Sequence, residues 1–343
     1  MNPETHTGSK TAILDSPEAG RIIGLLREAR TVVLNTHQGP DGDGIGSEIA
    51  LCRALRRLGK SVRILNADPV NSRESFIDRD GDLVAWRHSF AEVVREADLV
   101  VLVDAHETDR IGSVGKVVAQ RTGPVAAIDH HPRGGETAVD GILAPDFTST
   151  GEVMAGLIER LGVPLNRDLA EPLYAAILFD TAQFRFCRDD PETFRVVATL
   201  VAAGAPADAI AKRLFGTVRR DRMTLLGRML SVAVFELDGR LSHSAITKET
   251  LAGLSVEPDE VRSMVMALGD TEGVEIACLF KAQKPGTVKV SLRSRGNAVI
   301  GDVAEALGGG GHPFAAGVDV SGDLDEVRDR VLPMLRAKIA TAG

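Results

Sequence analysis

His37, Asp41 and Asp43 fall within one stretch, Asn35-Thr36-His37-Gln38-Gly39-Pro40-Asp41-Gly42-Asp43-Gly44-Ile45-Gly46-Ser47. Its glycines and proline let the backbone bend sharply enough to aim all three side chains at one point. Asp104 ends a second apolar run, Asp129-His130-His131 ends a third, and Asp180 closes a helical stretch. Each has an ordinary explanation when taken alone. Asp43 would cap a helix starting at Gly44, Asp104 and Asp180 would be caps or turn residues, and His37 a satisfied turn histidine. Together, however, His37, Asp41, Asp43, Asp104, His130 and Asp180 offer imidazole and carboxylate donors from four separate element ends. Four carboxylates brought together cannot all stay ionised without cations between them. A carboxylate-rich set with no thiolate suits Mn²⁺ or Mg²⁺ better than structural Zn²⁺. Two such ions about 3.5 to 4 Å apart share a water, lower its pKa and clamp the phosphate it attacks. Phosphoester hydrolysis is the chemistry implied.

The elements that must position these groups have a βα rhythm. Strands are expected at Thr31 to Leu34, Ser61 to Leu65, Asp98 to Asp104 and Pro124 to Ile128. The run Asp98-Leu99-Val100-Val101-Leu102-Val103-Asp104 is apolar without alternation, as a parallel strand covered on both faces requires. Ile45, Ile49 and Cys52 give helical spacing up to Gly59, after a leading helix over 16–29. Residues 68–87 read as loop with short elements. Ser149-Thr150-Gly151-Glu152 is a capping box ahead of a helix from Val153 to Leu161, and Leu169 to Leu178 is again helical. If the strands are parallel neighbours, the donors share the carboxyl edge of one sheet, where open α/β sheets bind ligands.

Residues 191–228 read as a helical linker carrying Arg213, Arg219, Arg220, Arg222 and Arg228. Beyond it the rhythm turns to strands at Ser231 to Glu236, Leu241 to Ile246, Val274 to Phe280 and Thr287 to Leu292. Helices are expected near Asp259 to Leu268 and Gly301 to Leu307. The glycine-rich stretch Gly308-Gly309-Gly310-Gly311-His312-Pro313-Phe314-Ala315-Ala316-Gly317 follows, then a strand to Val320 and a helix from Asp323 to Ile339. Consecutive glycines expose N–H groups to an anion, and His312, Arg293 and Arg295 could add charge and bidentate phosphate contacts. The fold class is α/β: a domain over 20–190 with a mostly parallel sheet flanked by helices, the linker, and a smaller α/β domain over 229–343.

At 343 residues the chain can hold two cores, and 44% hydrophobic with 26% charged residues is a soluble composition. No apolar run approaches a membrane span, and residues 1–19, polar and without an apolar h-region, are expected to be a frayed tail. A cytoplasmic protein follows by default. Cys52, Cys187 and Cys278 show no paired spacing and read as small buried residues. A net charge of −8 argues against a surface for long duplex nucleic acid. Aromatics at 4% leave few stacking platforms; Phe184, Phe186 and Phe314 are candidates, with core packing favoured for them.

The motif His37-x-x-Pro40-Asp41-x-Asp43-x-x-Gly46-Ser47, then Asp104, then Asp129-His130-His131, then Asp180-Thr181 before Phe184-Arg185-Phe186, resembles the four motifs of the DHH phosphoesterases. Gly308 to Gly317 is similar to the signature of their DHHA1 domain. The resemblance covers residues 20–335 and points to the branch with bifunctional oligoribonuclease/phosphoadenosine phosphate (pAp) phosphatases and cyclic-di-AMP phosphodiesterases. It implies two Mn²⁺ (or Mg²⁺) ions, one held by His37, Asp41 and Asp104, the other by Asp43, Asp104, His130 and Asp180, with Asp104 bridging. It also implies that His131 faces the phosphate as a catalytic donor and that Asp129 orients the histidines. Gly309, Gly310, Gly311, His312, Arg293 and Arg295 would contact substrate: short RNA, pAp, or linear and cyclic dinucleotides. A homodimer is a further implication. Ala182 stands where the motif has glycine. Rival readings are a single-strand DNA exonuclease, opposed by the acidic charge; a polyphosphate or pyrophosphate hydrolase, opposed by the glycine-rich second domain; and a non-catalytic nucleotide-binding module, which predicts a missing ligand where none is missing.

Overall fold

The computed structural model describes residues 10–341 except 72, 136, 188–189, 217, 257–260, 262–263 and 297. The chain divides into two compact units, Met1–Thr217 and Val218–Gly343.

In the first unit, β1 (Thr31–Asn35), β2 (Ser61–Asn66), β3 (Leu83–Ala85), β4 (Leu99–Val103), β5 (Val125–Asp129) and β6 (Gly141–Leu143) form one sheet, ordered β3-β2-β1-β4-β5-β6. Every pairing is parallel. The helices are α1 (Lys10–Leu14), α2 (Pro17–Glu28), α3 (Gly42–Arg57), α4 (Ala91–Glu96), α5 (Gly115–Ala119), α6 (Thr150–Arg160), α7 (Arg167–Asp180), α8 (Pro191–Ala202) and α9 (Ala207–Phe215). All five residues of β4 are buried. Leu99, Val101 and Val103 pack with residues of α2, α3, α6 and α7, whereas Val100 and Leu102 pack with Ala91, Val94, Val117 and Val118 of α4 and α5. Two-sided burial is what the unbroken apolar run encodes. The strand order reverses between β1 and β4, so a crevice opens at their carboxyl ends.

Three expectations change here. The tail expected to fray over 1–19 is helical from Lys10, because the Lys10 ammonium ion-pairs with Asp190 and, at 2.8 Å, with Glu152 of α6; residues 1–9 lie outside the described ones. The stretch read as a linker is shared out: α8 and α9 fall in the first unit, whereas the helix after them falls in the second. The box at Ser149 is half formed. Ser149 accepts from the Glu152 N–H, but the Glu152 carboxylate accepts from Thr148, one residue before the expected partner.

In the second unit α10 (Arg220–Ser231) precedes β7 (Val234–Glu236), so the strand expected from Ser231 starts three residues later. Then come β8 (Leu241–Thr247), α11 (Lys248–Leu251), α12 (Val265–Gly269), β9 (Ile276–Lys284), β10 (Thr287–Ser294), α13 (Gly301–Ala306), β11 (Gly310–His312), β12 (Ala315–Ser321) and α14 (Leu324–Thr341). The start of the helix expected near Asp259 lies outside the described residues. The sheet runs β11-β12-β10-β9-β8-β7, with β8 and β9 parallel and the other neighbours antiparallel. One face packs on Val303 of α13 and on Val327, Val331 and Leu335 of α14, the other on Leu225, Met229, Val265 and Leu268. All three cysteines are buried and unpaired. Among the described residues no single helix is long and apolar enough to cross a membrane.

Candidate metal centre

The turn after β1 places its donors differently from the simple capping reading. Helix α3 begins at Gly42, and Asp41 is its N-cap, accepting from the Asp43 N–H at 3.1 Å. Asp43 lies inside the helix, 1% exposed, so it is not the cap. Its carboxylate is held by the N-terminus of α6: Thr150 N–H donates to Oδ2 at 2.7 Å and Gly151 N–H to Oδ1 at 2.8 Å. Charge-assisted bonds from a helix start fix an anion well. Gly46 lets α3 close on α7, since a Cβ there would lie 2.3 Å from the Pro172 carbonyl oxygen. That approach brings Asp43 of α3 and Asp180 at the end of α7 to one place.

Asp104 follows β4 with φ of 57°, a left-handed conformation that Asp tolerates better than most residues. Its Oδ1 accepts from Thr150 Oγ1 at 2.8 Å. His37 Nε2 lies 3.4 Å from Asp104 Oδ2 and 3.9 Å from Asp41 Oδ1. His130 Nε2 lies 3.4 Å from Asp180 Oδ2, and 3.8 Å from both Asp43 Oδ2 and Asp104 Oδ1. Thus the structure gathers all six donors read from the sequence. They include the triads His37, Asp41, Asp104 and Asp43, His130, Asp180, each with ligand atoms within 4.8 Å of one another; Asp104 also groups with His130 and His131.

The electrostatics are those of a site built for cations. Burial, then the charges of Asp104, Asp180 and Asp41, drive the Asp43 carboxyl well above its usual range. Burial pushes Asp180 up to about 7, with Asp104 adding and His130 opposing. Burial disfavours charge on His37, but Asp104 and Asp41 outweigh it and raise its pKa well above the usual value. Asp41 responds inversely: burial would raise it, yet the bond and charge of His37 lower it. His37 Nδ1 lies 2.9 Å from the Gln38 carbonyl oxygen, so Nδ1 donates and the Nε2 lone pair is left for an ion. Buried oxygen and imidazole donors with crowded like charges fit divalent cations.

Several contributors were not singled out from sequence. Thr150 and Gly151 read only as a helix start. His106 bonds to Asp129, and its signal was a second imidazole two residues after Asp104. Glu48, fully buried on α3, accepts from Asn66 Nδ2 at 2.7 Å, and burial pushes its carboxyl up to about 8.

Ala182, where a glycine was expected, has φ of 47°. The left-handed region costs an L side chain roughly 1 kcal/mol, which glycine escapes at some cost in unfolded-chain entropy. Ala182→Gly should therefore stabilise the protein by up to about 1 kcal/mol. Urea unfolding checks this, and a clear loss would show that the methyl group contributes packing. Phe184 packs beside Tyr174 and Phe194, as core packing predicts. Phe186 and Phe314 are 53% and 42% exposed, so that expectation fails for them.

In the second unit the glycines are not a free loop. Gly308 and Gly309 N–H groups return to Glu305 and Ala304 carbonyls and close α13. Gly310 to His312 form the exposed edge strand β11. A Cβ on Gly309 would lie 2.4 Å from the Gly317 oxygen, whereas one on Gly310 would meet open space. Gly310 alone is left without a fold-based reason. Arg293, next to last in β10, lies opposite Ala315, and Arg295 follows that strand.

Residues 31–177 match the DHH family, N-terminal domain, and residues 241–341 the DHHA1 domain. The chain belongs to the DHH phosphoesterase family. This DHH protein is 34% identical to the bifunctional oligoribonuclease and PAP phosphatase NrnA of Thermus thermophilus, over 91% of each chain. It is 25% identical to the cyclic-di-AMP phosphodiesterase GdpP of Bacillus subtilis over 90% of this chain but 48% of that one. Its fold matches an exopolyphosphatase-related protein from Bacteroides fragilis with a TM-score of 0.86 and 24% identity, covering 94% of this chain and 95% of the other.

Proposed function

We propose that this DHH protein is a cytoplasmic Mn²⁺-dependent phosphodiesterase and phosphatase that trims short oligoribonucleotides to mononucleotides and dephosphorylates pAp. The observation that carries the reading is the pair of donor triads on either side of Asp104, one containing it and the other reaching it through His130, whose Nε2 is 3.8 Å from Asp104 Oδ1. His37, Asp41 and Asp104 would hold one ion, and Asp43, Asp104, His130 and Asp180 the other. When bound, the ions supply an acidified water and neutralise charge on the phosphate. The chain's own groups do the rest. Thr150 and Gly151 keep the Asp43 carboxylate oriented, and Thr150 Oγ1 does the same for Asp104. His131 Nδ1 lies 2.7 Å from Asp129 Oδ1, which leaves Nε2 to donate a proton to the leaving oxygen. Burial disfavours charge on His131, but the bond to Asp129 and the fields of Asp104 and Asp129 outweigh it and raise its pKa, favouring the protonated donor.

The named activities of the two relatives support short nucleotide substrates for this chain, and Arg293, Arg295, Gly310 and His312 are the groups proposed to hold them. The test is one panel of 5′-phosphorylated dinucleotides, longer RNA and DNA, pAp and cyclic-di-AMP, each with Mn²⁺ and with Mg²⁺. Dinucleotides and pAp should lead in kcat/KM with Mn²⁺; a preference for long DNA would overturn the reading. His312→Ala and Arg293→Ala should each raise KM for a dinucleotide about tenfold, and a simple aryl phosphodiester far less. Equal losses on both would assign these residues to folding. The same reading has the protein dimeric, which light scattering measures.

A further inference from the structure

Asp129 is fully buried and has an imidazole against each oxygen. His131 Nδ1 is 2.7 Å from Oδ1, and His106 Nδ1 is 2.6 Å from Oδ2. The His131 backbone N–H also donates to Oδ1, at 3.0 Å. On the far side of the His106 ring, the Gly134 backbone N–H donates to Nε2 at 3.3 Å. A nitrogen that accepts a hydrogen bond carries no proton, so the ring proton of His106 is on Nδ1 and points at Asp129. The backbone of His106 is fixed too, its carbonyl accepting from the Val139 N–H at 2.6 Å. His106 is only 2% exposed, so it has no route to a substrate of its own.

We propose that His106 is a positioning residue for phosphoester hydrolysis. By occupying Asp129 Oδ2 it stops the carboxylate turning about its own axis. Oδ1 is thereby kept on His131 Nδ1, and the His131 ring is held with Nε2 toward the leaving oxygen. The proposal rests on the reading of His131 as the proton donor. A carboxylate bonded on one oxygen alone has a broad, twofold torsion and would not fix that ring.

The test uses the full-length, Mn²⁺-loaded protein and two substrates. One is a 5′-phosphorylated dinucleotide, whose ribose leaving group needs a proton; the other is the p-nitrophenyl ester of a nucleotide, whose leaving group departs without one. In His106→Asn the amide N–H falls where Nδ1 was, whereas in His106→Gln it falls near Nε2. His106→Gln should lose at least about tenfold in kcat on the dinucleotide at unchanged KM, and less than about threefold on the aryl ester. His106→Asn should recover most of the dinucleotide rate. Thermal midpoints and Mn²⁺ titrations of each variant accompany the kinetics, and His106→Ala replaces the glutamine variant should that one not fold. Equal losses on both substrates, or Asn no better than Gln, would overturn the role of His106. His131→Gln on the same pair separates the two levels: if it too loses equally on both substrates, it is the reading of His131 that fails.

Discussion

Asp104→Asn should abolish hydrolysis, with kcat reduced at least about 10³-fold on every phosphoester substrate and the fold intact. The substitution is nearly isosteric, and the amide oxygen can still accept from Thr150 Oγ1. What disappears is one negative charge, the one that faces His37 on one side and His130 on the other. No other residue belongs to both of the ligand sets proposed to hold ions. Removing any single outer ligand, such as Asp41, leaves one set whole and should cost less. The measurement is kcat with saturating Mn²⁺ alongside a circular-dichroism melt. Turnover within a few-fold of the native protein, at unchanged melting behaviour, would sink the two-metal proposal.

The second large effect is on stability. Asp180 has an ordinary carboxyl value of 3.8 and a folded value of about 7. Between those limits the folded protein holds more protons than the unfolded chain, so stability falls as pH rises. Asp43 is shifted the same way. His37, also raised, contributes stability below its ordinary 6.5 and loses it above. Asp41 and Asp129, both lowered, act in the opposite sense, but chiefly as pH drops below 3.8. Metal-free protein should therefore melt at progressively lower temperature from about pH 4 to about pH 7 as far as this site decides it. Mn²⁺ should reverse the trend, since cations bind the ionised carboxylates. At free Mn²⁺ about 100 times Kd, one site adds about 2.7 kcal/mol, an upward shift of several degrees. Melts across this range with chelator and with Mn²⁺ measure it, and a chelated protein whose midpoint rises from pH 4 to 7 would contradict the crowding of charge inferred for the site.

Much of this protein was legible in its sequence because the signals were local. The unbroken apolar run from Leu99 to Val103 could only be a strand covered on both faces, and His37, Asp104, His130 and Asp180 stood at element ends where α/β sheets bind ligands. Burial of the cysteines followed from their spacing alone. Tertiary structure decided what depends on partners far apart in the chain. Asp43 looked like a cap because nothing nearby in sequence marks Thr150 and Gly151, 107 and 108 residues on, as its donors. Lys10 looked frayed because Glu152 in α6 and Asp190 at the N-cap of α8, which hold it, lie far along the chain. Gly309 looked like an anion cradle until the fold brought Gly317 and Val318 against it. His106 stood two residues after Asp104, but only the pairing of β4 with β5 sets it against Asp129. Composition and periodicity specify elements and the edge on which they end. Which side chains meet at that edge, and so which carboxylates are paired, pinned or left in need of a cation, is fixed by contacts over long stretches of chain.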